Sequence, residues 1–328
     1  MSSRPPLSRR RALRILAAGV SIPLGVLALR RVRGQPQPVQ WHGEALGAVA
    51  HMTLWHPDPG VAKRAMLRMQ AEIARLEAVF SLHRPESELS RLNRDGRIGT
   101  PSRDLFDVFD QSRRIAEASG GAFDPTIQPL WRLYAETARS GAAPDPARLA
   151  AALRAVDHTR VSASRRAIRF DRPGMSASLN GIAQGYVTDR ITDLLGNEGF
   201  ENAVIELGET RALGHAPDGT AFTIGLVDPL QPHRTSRSVA LADASLSVSG
   251  GYGLRFGDAS RHHIFDPKTG ISANRLAQVA VIAPRATLAD GLSTAIYVAG
   301  ESAAPALLAG HASTRAILTR ADGTVLQL

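Results

Sequence analysis

The chain has 328 residues, 44% of them hydrophobic and 5% aromatic, enough for a large core in one large domain or two small ones. Cysteine is absent, which excludes disulfides, thiolate metal sites and cysteine nucleophiles. The net charge of +9 is concentrated at the amino terminus: residues 1–35 hold eight arginines and no acid, which leaves +1 for the remainder and no basic block of the kind that binds nucleic acid.

Ser8-Arg9-Arg10-Arg11-Ala12-Leu13 is a twin-arginine pattern, followed at once by the apolar run Ile15–Leu29. Fifteen residues make about 22 Å of helix, short of the roughly 30 Å hydrocarbon core of a bilayer, so the run reads as a signal h-region. The expectation is an export signal over residues 1–35, a periplasmic destination, and an inner-membrane anchor if the signal is retained. Residues 36–328 are then the folded domain. Gln35–Gln40 carries two prolines and reads as a linker.

Ala45–Trp55 alternates loosely, as one strand does. Val61–Phe80 is a helix, with Met69, Ile73, Leu76 and Phe80 on one stripe. Leu105 to Ala116 marks a second helix, closed by Gly120-Gly121, and Pro144–Val156 a third. Val187, Ile191, Leu194 and Leu195 mark a fourth, ended near Gly199. Strands are expected at Ala203–Leu207, Phe222–Val227, Val239–Leu241 and Gln278–Ala283, a helix at Thr287–Val298, and a hairpin joining Arg315–Thr319 to Val325–Leu328 around Asp322-Gly323. Without a regular βαβ repeat, the pattern is an α+β fold: one large domain of mixed, mainly antiparallel sheet with flanking helices.

Three constellations bear on chemistry. Asp290 and Thr294 stand four apart in a predicted helix and share a face; a carboxylate with a hydroxyl suits Mg²⁺, although such a pair is also common on surfaces. Ser178–Gly185, SLNGIAQG, has two glycines four apart before a helix start, a place that attracts phosphate or merely turns the chain. His262-His263-Ile264-Phe265-Asp266-Pro267 precedes the turn Lys268-Thr269-Gly270, and a histidine near a carboxylate shuttles protons, or simply ends a strand.

Together with Phe80–His83, Ser87–Asn93, Gly121–Thr126 and Ser249–Tyr252, these segments resemble, in order, the FAD:protein FMN transferase family, also called the ApbE family. The resemblance spans roughly Ala45 to Gly300. It implies an Mg²⁺ site from the side chains of Asp290 and Thr294, with Ser293 beside them and a backbone carbonyl from Gly181. It implies an FAD site lined by Leu46, His83, Ala122, Phe123, Asp124, Ser178, Gln184 and Ile264. His263 occupies the histidine position beside the reacting phosphate, and the proton of the attacking hydroxyl is assigned to His263 or to a carboxylate such as Asp266. The family splits FAD: a Thr or Ser hydroxyl of a partner protein takes FMN and AMP leaves. The twin-arginine pattern also resembles NosX-type members, whose acceptor is a membrane respiratory protein.

This chain departs from the family pattern around FAD, not at the metal pair. Ser178 stands for a usual Asp, Asn180 for Gly, Gln184 for Lys and His83 for Tyr, and Gly208-Glu209-Thr210 is one glycine short of a Gly-Gly-Glu turn. Two other readings use the same pocket: an FAD pyrophosphatase with water as nucleophile, and a flavin-binding maturation protein without turnover.

Overall fold

The computed structural model describes residues 38–138, 142–258 and 260–328. The expected signal segment lies outside them. Among the described residues no helix is long and apolar enough to cross a membrane.

The chain opens with a hairpin, β1 (Pro38–Ala45) and β2 (Ala48–Trp55), paired from Ala45↔Ala48 to Pro38↔Trp55. Two expectations are corrected here. The end of the supposed linker is strand, because β1 lies at a sheet edge and Pro38 is its first residue, where a missing N–H is tolerated. The supposed single strand Ala45–Trp55 is broken by a two-residue turn, with Leu46 at φ 49° and Gly47 at φ 80°. Leu46 enters left-handed space at a cost of about 1–2 kcal/mol. Its N–H is held by Glu77 Oε1 at 3.1 Å and its side chain packs on the core, neither of which a sequence pattern reveals.

Helix α1 (Pro59–Phe80) is capped by Asp58, whose Oδ1 accepts Gly60 N–H at 2.7 Å, and buries the stripe Met66, Met69, Ile73, Leu76 and Phe80. Then come α2 (Glu88–Asp95), β3 (Arg97–Gly99), α3 (Arg103–Ala118), α4 (Gln128–Ala138) and α5 (Pro146–Leu153). Strands β4 (Val161–Ser164) and β5 (Ala167–Phe170) join β3 in a small sheet of order β3-β5-β4. Helix α6 (Ala183–Asn197) leads into β6 (Asn202–Glu206) and β7 (Thr210–Leu213). After the hairpin β8 (Phe222–Val227) and β9 (Thr235–Leu241) come β10 (Ser245–Ser249), β11 (Leu276–Ala283), α7 (Ala286–Ala299), α8 (Ala304–Ala309), β12 (Arg315–Arg320) and β13 (Val325–Gln327).

Eight strands form the main sheet in the order β1-β2-β6-β7-β10-β11-β12-β13, every neighbour antiparallel. Period-two alternation divides its side chains between two cores. Met52, Leu54, Ile205, Val279 and Val281 face the helices, while Trp55, Val204, Ala212 and Ile282 face the β8–β9 hairpin. A third cluster gathers Leu130, Tyr134, Phe256 and Phe265. The α+β expectation holds: a mainly antiparallel sheet with flanking helices.

Candidate active site

Helix α7 lies between α6 and β10, built from small residues where it is most tightly enclosed. A Cβ on Gly185 of α6 would stand 2.3 Å from the Ala286 carbonyl oxygen, and one on Gly291 would stand 2.2 Å from Ile115 Cδ1. This closeness brings the Gly185 N–H to 3.0 Å from Asp290 Oδ2. Asp290 is buried at 3% exposure. Thr294, one turn on, lies against the turn before α6, where a Cβ on Gly181 would be 3.1 Å from Thr294 Oγ1. The helix pair thus joins Asp290, Thr294 and the Gly181 backbone.

These three residues stand in the wall of a cavity of about 430 Å³, within the range of small-molecule sites. The same cavity is lined by Leu46, His83, Ala122, Phe123, Asp124, Ser178, Gln184 and Ile264, and by His263. Two candidates are not in its wall. Ser293 is turned about 100° from Thr294, as the helical period requires. Its hydroxyl meets Ser249 Oγ at 2.8 Å and Ser247 Oγ at 3.2 Å and donates to the Asp290 carbonyl at 3.0 Å, so it ties α7 to β10. Asp266 caps a turn: its Oδ1 accepts Lys268 N–H at 2.8 Å and its carbonyl accepts Gly270 N–H at 2.8 Å. Ser293 and Asp266 thus stand behind the cavity wall, since neighbours in sequence at the site point elsewhere in space.

The histidine pair divides its work. His262, 1% exposed, holds the Ala273 carbonyl at 2.9 Å through Nε2 and accepts Ile264 N–H at 3.2 Å through Nδ1. Burial pushes it down to about 4, and its bonds fix it as a neutral strut. His263 places Nδ1 3.2 Å from the Leu254 carbonyl, which makes that nitrogen the donor and leaves Nε2 as an acceptor. Burial lowers its pKa as well.

The Gly120-Gly121 stop of α3 turns the chain into the cavity wall at φ 59° and 80°. Asp124 then anchors the loop: Oδ1 accepts Thr126 N–H at 2.7 Å and Thr126 Oγ1 at 2.6 Å, and Oδ2 accepts His158 N–H at 2.9 Å with His158 Nδ1 at 3.3 Å. Its carboxylate is therefore largely committed to the loop. His158 was not visible as a site residue, being 34 positions from its partner. The Asp124 hydrogen bond raises the His158 pKa against burial, helped by the Asp157 and Glu117 charges. A raised histidine value gives stability that is complete below about pH 6.5 and lost as pH rises through the folded value. His158→Gln should therefore destabilise by about 1 kcal/mol at pH 6 and less at pH 9, read from paired melting curves; a gap that widens with pH contradicts this pairing.

The match to the ApbE family model covers residues 46–318. This chain belongs to the ApbE family. A FAD:protein FMN transferase of Treponema pallidum (strain Nichols) is 30% identical over 294 residues, 80% of this chain and 79% of the relative. One from Vibrio cholerae is 32% identical over 259 residues, covering 74% and 76%. Among solved structures, the Thermotoga maritima ApbE protein matches with a TM-score of 0.80 at 24% identity, over 89% of this chain and 97% of that one. The flavin transferase ApbE from Vibrio cholerae matches at 0.77 and 24%, with the same coverage.

Glu209, to which the sequence assigned no role, also stands in the cavity wall of this ApbE chain. It is 7% exposed. Burial raises the pKa of Glu209 and of Asp290, and the Asp290 charge pushes Glu209 up further. No arginine, lysine or histidine forms an ion pair with either among the described residues. Two neighbouring buried carboxylates without a positive partner fit a cation. Among the described residues no three His, Cys, Asp or Glu side chains converge as a metal site. A cation here would rest on one carboxylate, the Thr294 hydroxyl and the Gly181 carbonyl, with water and phosphate oxygens completing it, the mixed oxygen set that Mg²⁺ accepts. The departures surround this pocket. The Gln184 amide lies over the shortened turn, 2.5 Å from where a Gly208 Cβ would stand, so the turn needs glycine at its φ of 98°. His83 is exposed at the rim, next to Arg84, which pairs with Glu77.

Proposed function

We propose that this protein is an Mg²⁺-dependent FAD:protein FMN transferase that places FMN on a Thr or Ser hydroxyl of a partner protein and releases AMP. The observation that carries the reading is the convergence of Asp290, Thr294, Gly181 and His263 on the cavity that the eight FAD-lining candidates also line. When bound, Mg²⁺ supplies charge neutralisation at the diphosphate and holds it for in-line attack. Asp290, Thr294 and the Gly181 carbonyl would hold it. His263 has the state a general base needs: neutral, with Nδ1 engaged by Leu254 and Nε2 left to accept the hydroxyl proton. The acceptor oxygen bonds to the FMN phosphorus, the bond from that phosphorus to the bridging oxygen breaks, and AMP leaves with that oxygen. Export by the twin-arginine route would put the reaction in the periplasm, with a membrane respiratory protein as acceptor.

Incubation with FAD, Mg²⁺ and a candidate acceptor tests the reading. Flavin that stays on the acceptor through denaturation, seen as a mass increase matching one FMN group with AMP released, is the expected result. Free FMN with AMP and an unmodified acceptor would make the protein a hydrolase; FAD bound with no AMP would make it a carrier. His263→Ala should slow transfer by roughly 10²–10⁴-fold while FAD binding changes little. Equal losses in both would remove His263 from the proton transfer.

A further inference from the structure

Helix α7 has no cap of its own: Arg285, at its N-cap position, makes no side-chain hydrogen bond to the first turn. The cap comes from α6. Asp189, 2% exposed, accepts Ala286 N–H at 2.8 Å through Oδ1, and Thr287 N–H at 2.9 Å and Thr287 Oγ1 at 2.6 Å through Oδ2. The Arg285 guanidinium closes over it, with Nε 3.3 Å from Asp189 Oδ2 and its other nitrogens on Asp193 at 2.7 and 2.9 Å. One turn earlier on α6, the Gly185 N–H meets Asp290 Oδ2, a bond in the opposite direction. The two helices are therefore fastened reciprocally, each supplying a carboxylate to the other's backbone.

We propose that Asp189 is a positioning residue for the divalent-cation site: by capping α7 from α6 it fixes where Asp290 and Thr294 stand relative to the Gly181–Gly185 turn. The inference rests on the reading that Asp290 and Thr294 hold the cation. An ordinary cap adds stability and nothing else. This one sits a turn before Asp290 and ties it to the helix whose entry turn holds Gly181. Mg²⁺ requires ligand distances near 2.0–2.1 Å, so a small slide of α7 along α6 separates the donors more than the ion accepts. Asp189 itself is not in the cavity wall. A carboxylate is needed because both oxygens accept. Asp189→Asn would set an NH₂ against either the Ala286 or the Thr287 N–H.

Mn²⁺ binding, read from the loss of its free-ion paramagnetic resonance signal, separates positioning from simple stability. Wild type should bind Mn²⁺ and Asp290→Ala should not. Asp189→Asn should bind at least about tenfold more weakly at a temperature where it is fully folded. Thr287→Val removes one bond and keeps the carboxylate, so it should weaken binding by less, and Thr287→Ser should restore it. Asp189→Asn that melts earlier yet binds Mn²⁺ within about twofold of wild type would overturn the proposal and leave the cation site intact. Should that variant not fold, unaltered Mn²⁺ affinity in Thr287→Val overturns it. Wild type that binds no Mn²⁺ would instead defeat the reading of Asp290 and Thr294, and this inference with it.

Discussion

Asp290→Asn should abolish most flavin transfer and, in metal-free protein, raise the melting temperature. The two effects have one cause. Asp290 and Glu209 are both buried in the wall of one cavity, and their pKa values are raised by burial, with the Asp290 charge adding to the rise at Glu209. Several kcal/mol per buried ion is the usual scale of such desolvation. Asparagine keeps an oxygen for the Gly185 N–H, now 3.0 Å from Oδ2, and removes the charge. A gain of about 1–3 kcal/mol is expected, or a few degrees in Tm, against a loss of roughly 10²–10³-fold in transfer. The pH course follows from the direction of the shift. A carboxyl whose folded pKa is raised gives full stability below its free value, near pH 4, and loses it as pH climbs through the folded value. The variant's advantage should thus be small at pH 5 and larger at pH 8 in EDTA. Excess Mg²⁺ should erase it by stabilising wild type alone. A variant that melts lower than wild type in EDTA at pH 8 would mean that Asp290 already has a positive partner.

The site was legible where it depended on local spacing. Asp290 and Thr294 are one helical turn apart, so the i, i+4 rule placed both on the cavity side without knowledge of the fold. The long helices α1, α3, α6 and α7 were legible for a related reason: sustained apolar recurrence and glycine stops. Strand β10 was not. Its serines look like a loop, and they are buried because Ser247 and Ser249 meet Ser293 from α7, a partner 44 or more positions away. Helix α2 has only Leu89 and Leu92 to bury, too few for a period, although Ser87 caps it by accepting Ser90 N–H at 3.0 Å. Glu209 is silent for a stronger reason. A carboxylate in a glycine turn reads as exposed, and only the fold brings it beside Asp290. Motif order named residues that line one cavity, whereas Asp189 and His158, which hold its walls in place, became visible only through contacts across the chain.

Gly185→Ala should destabilise the protein, against the ordinary preference of a helix for alanine. At an open helical position this exchange gains roughly 0.5–1 kcal/mol. Gly196 of the same helix is such a position, with no atom within 4 Å of a built Cβ, and Gly196→Ala should raise Tm slightly. At Gly185 the added methyl would stand 2.3 Å from the Ala286 oxygen, 2.6 Å from its carbonyl carbon and 2.8 Å from Thr287 N. All three are backbone, so no side chain can swing away. The helices must separate by about 1 Å, which overpacking data value at about 1–3 kcal/mol, and the Gly185 to Asp290 bond stretches as they part. A fall of several degrees in Tm is expected. Weaker Mg²⁺ and FAD binding should accompany it, because separating the helices moves Asp290 and Thr294 from Gly181. The two substitutions therefore have opposite signs eleven residues apart on one helix. If both raise Tm, the helices are not in backbone contact at Gly185, and Asp290, Thr294 and Gly181 are not held together by this packing.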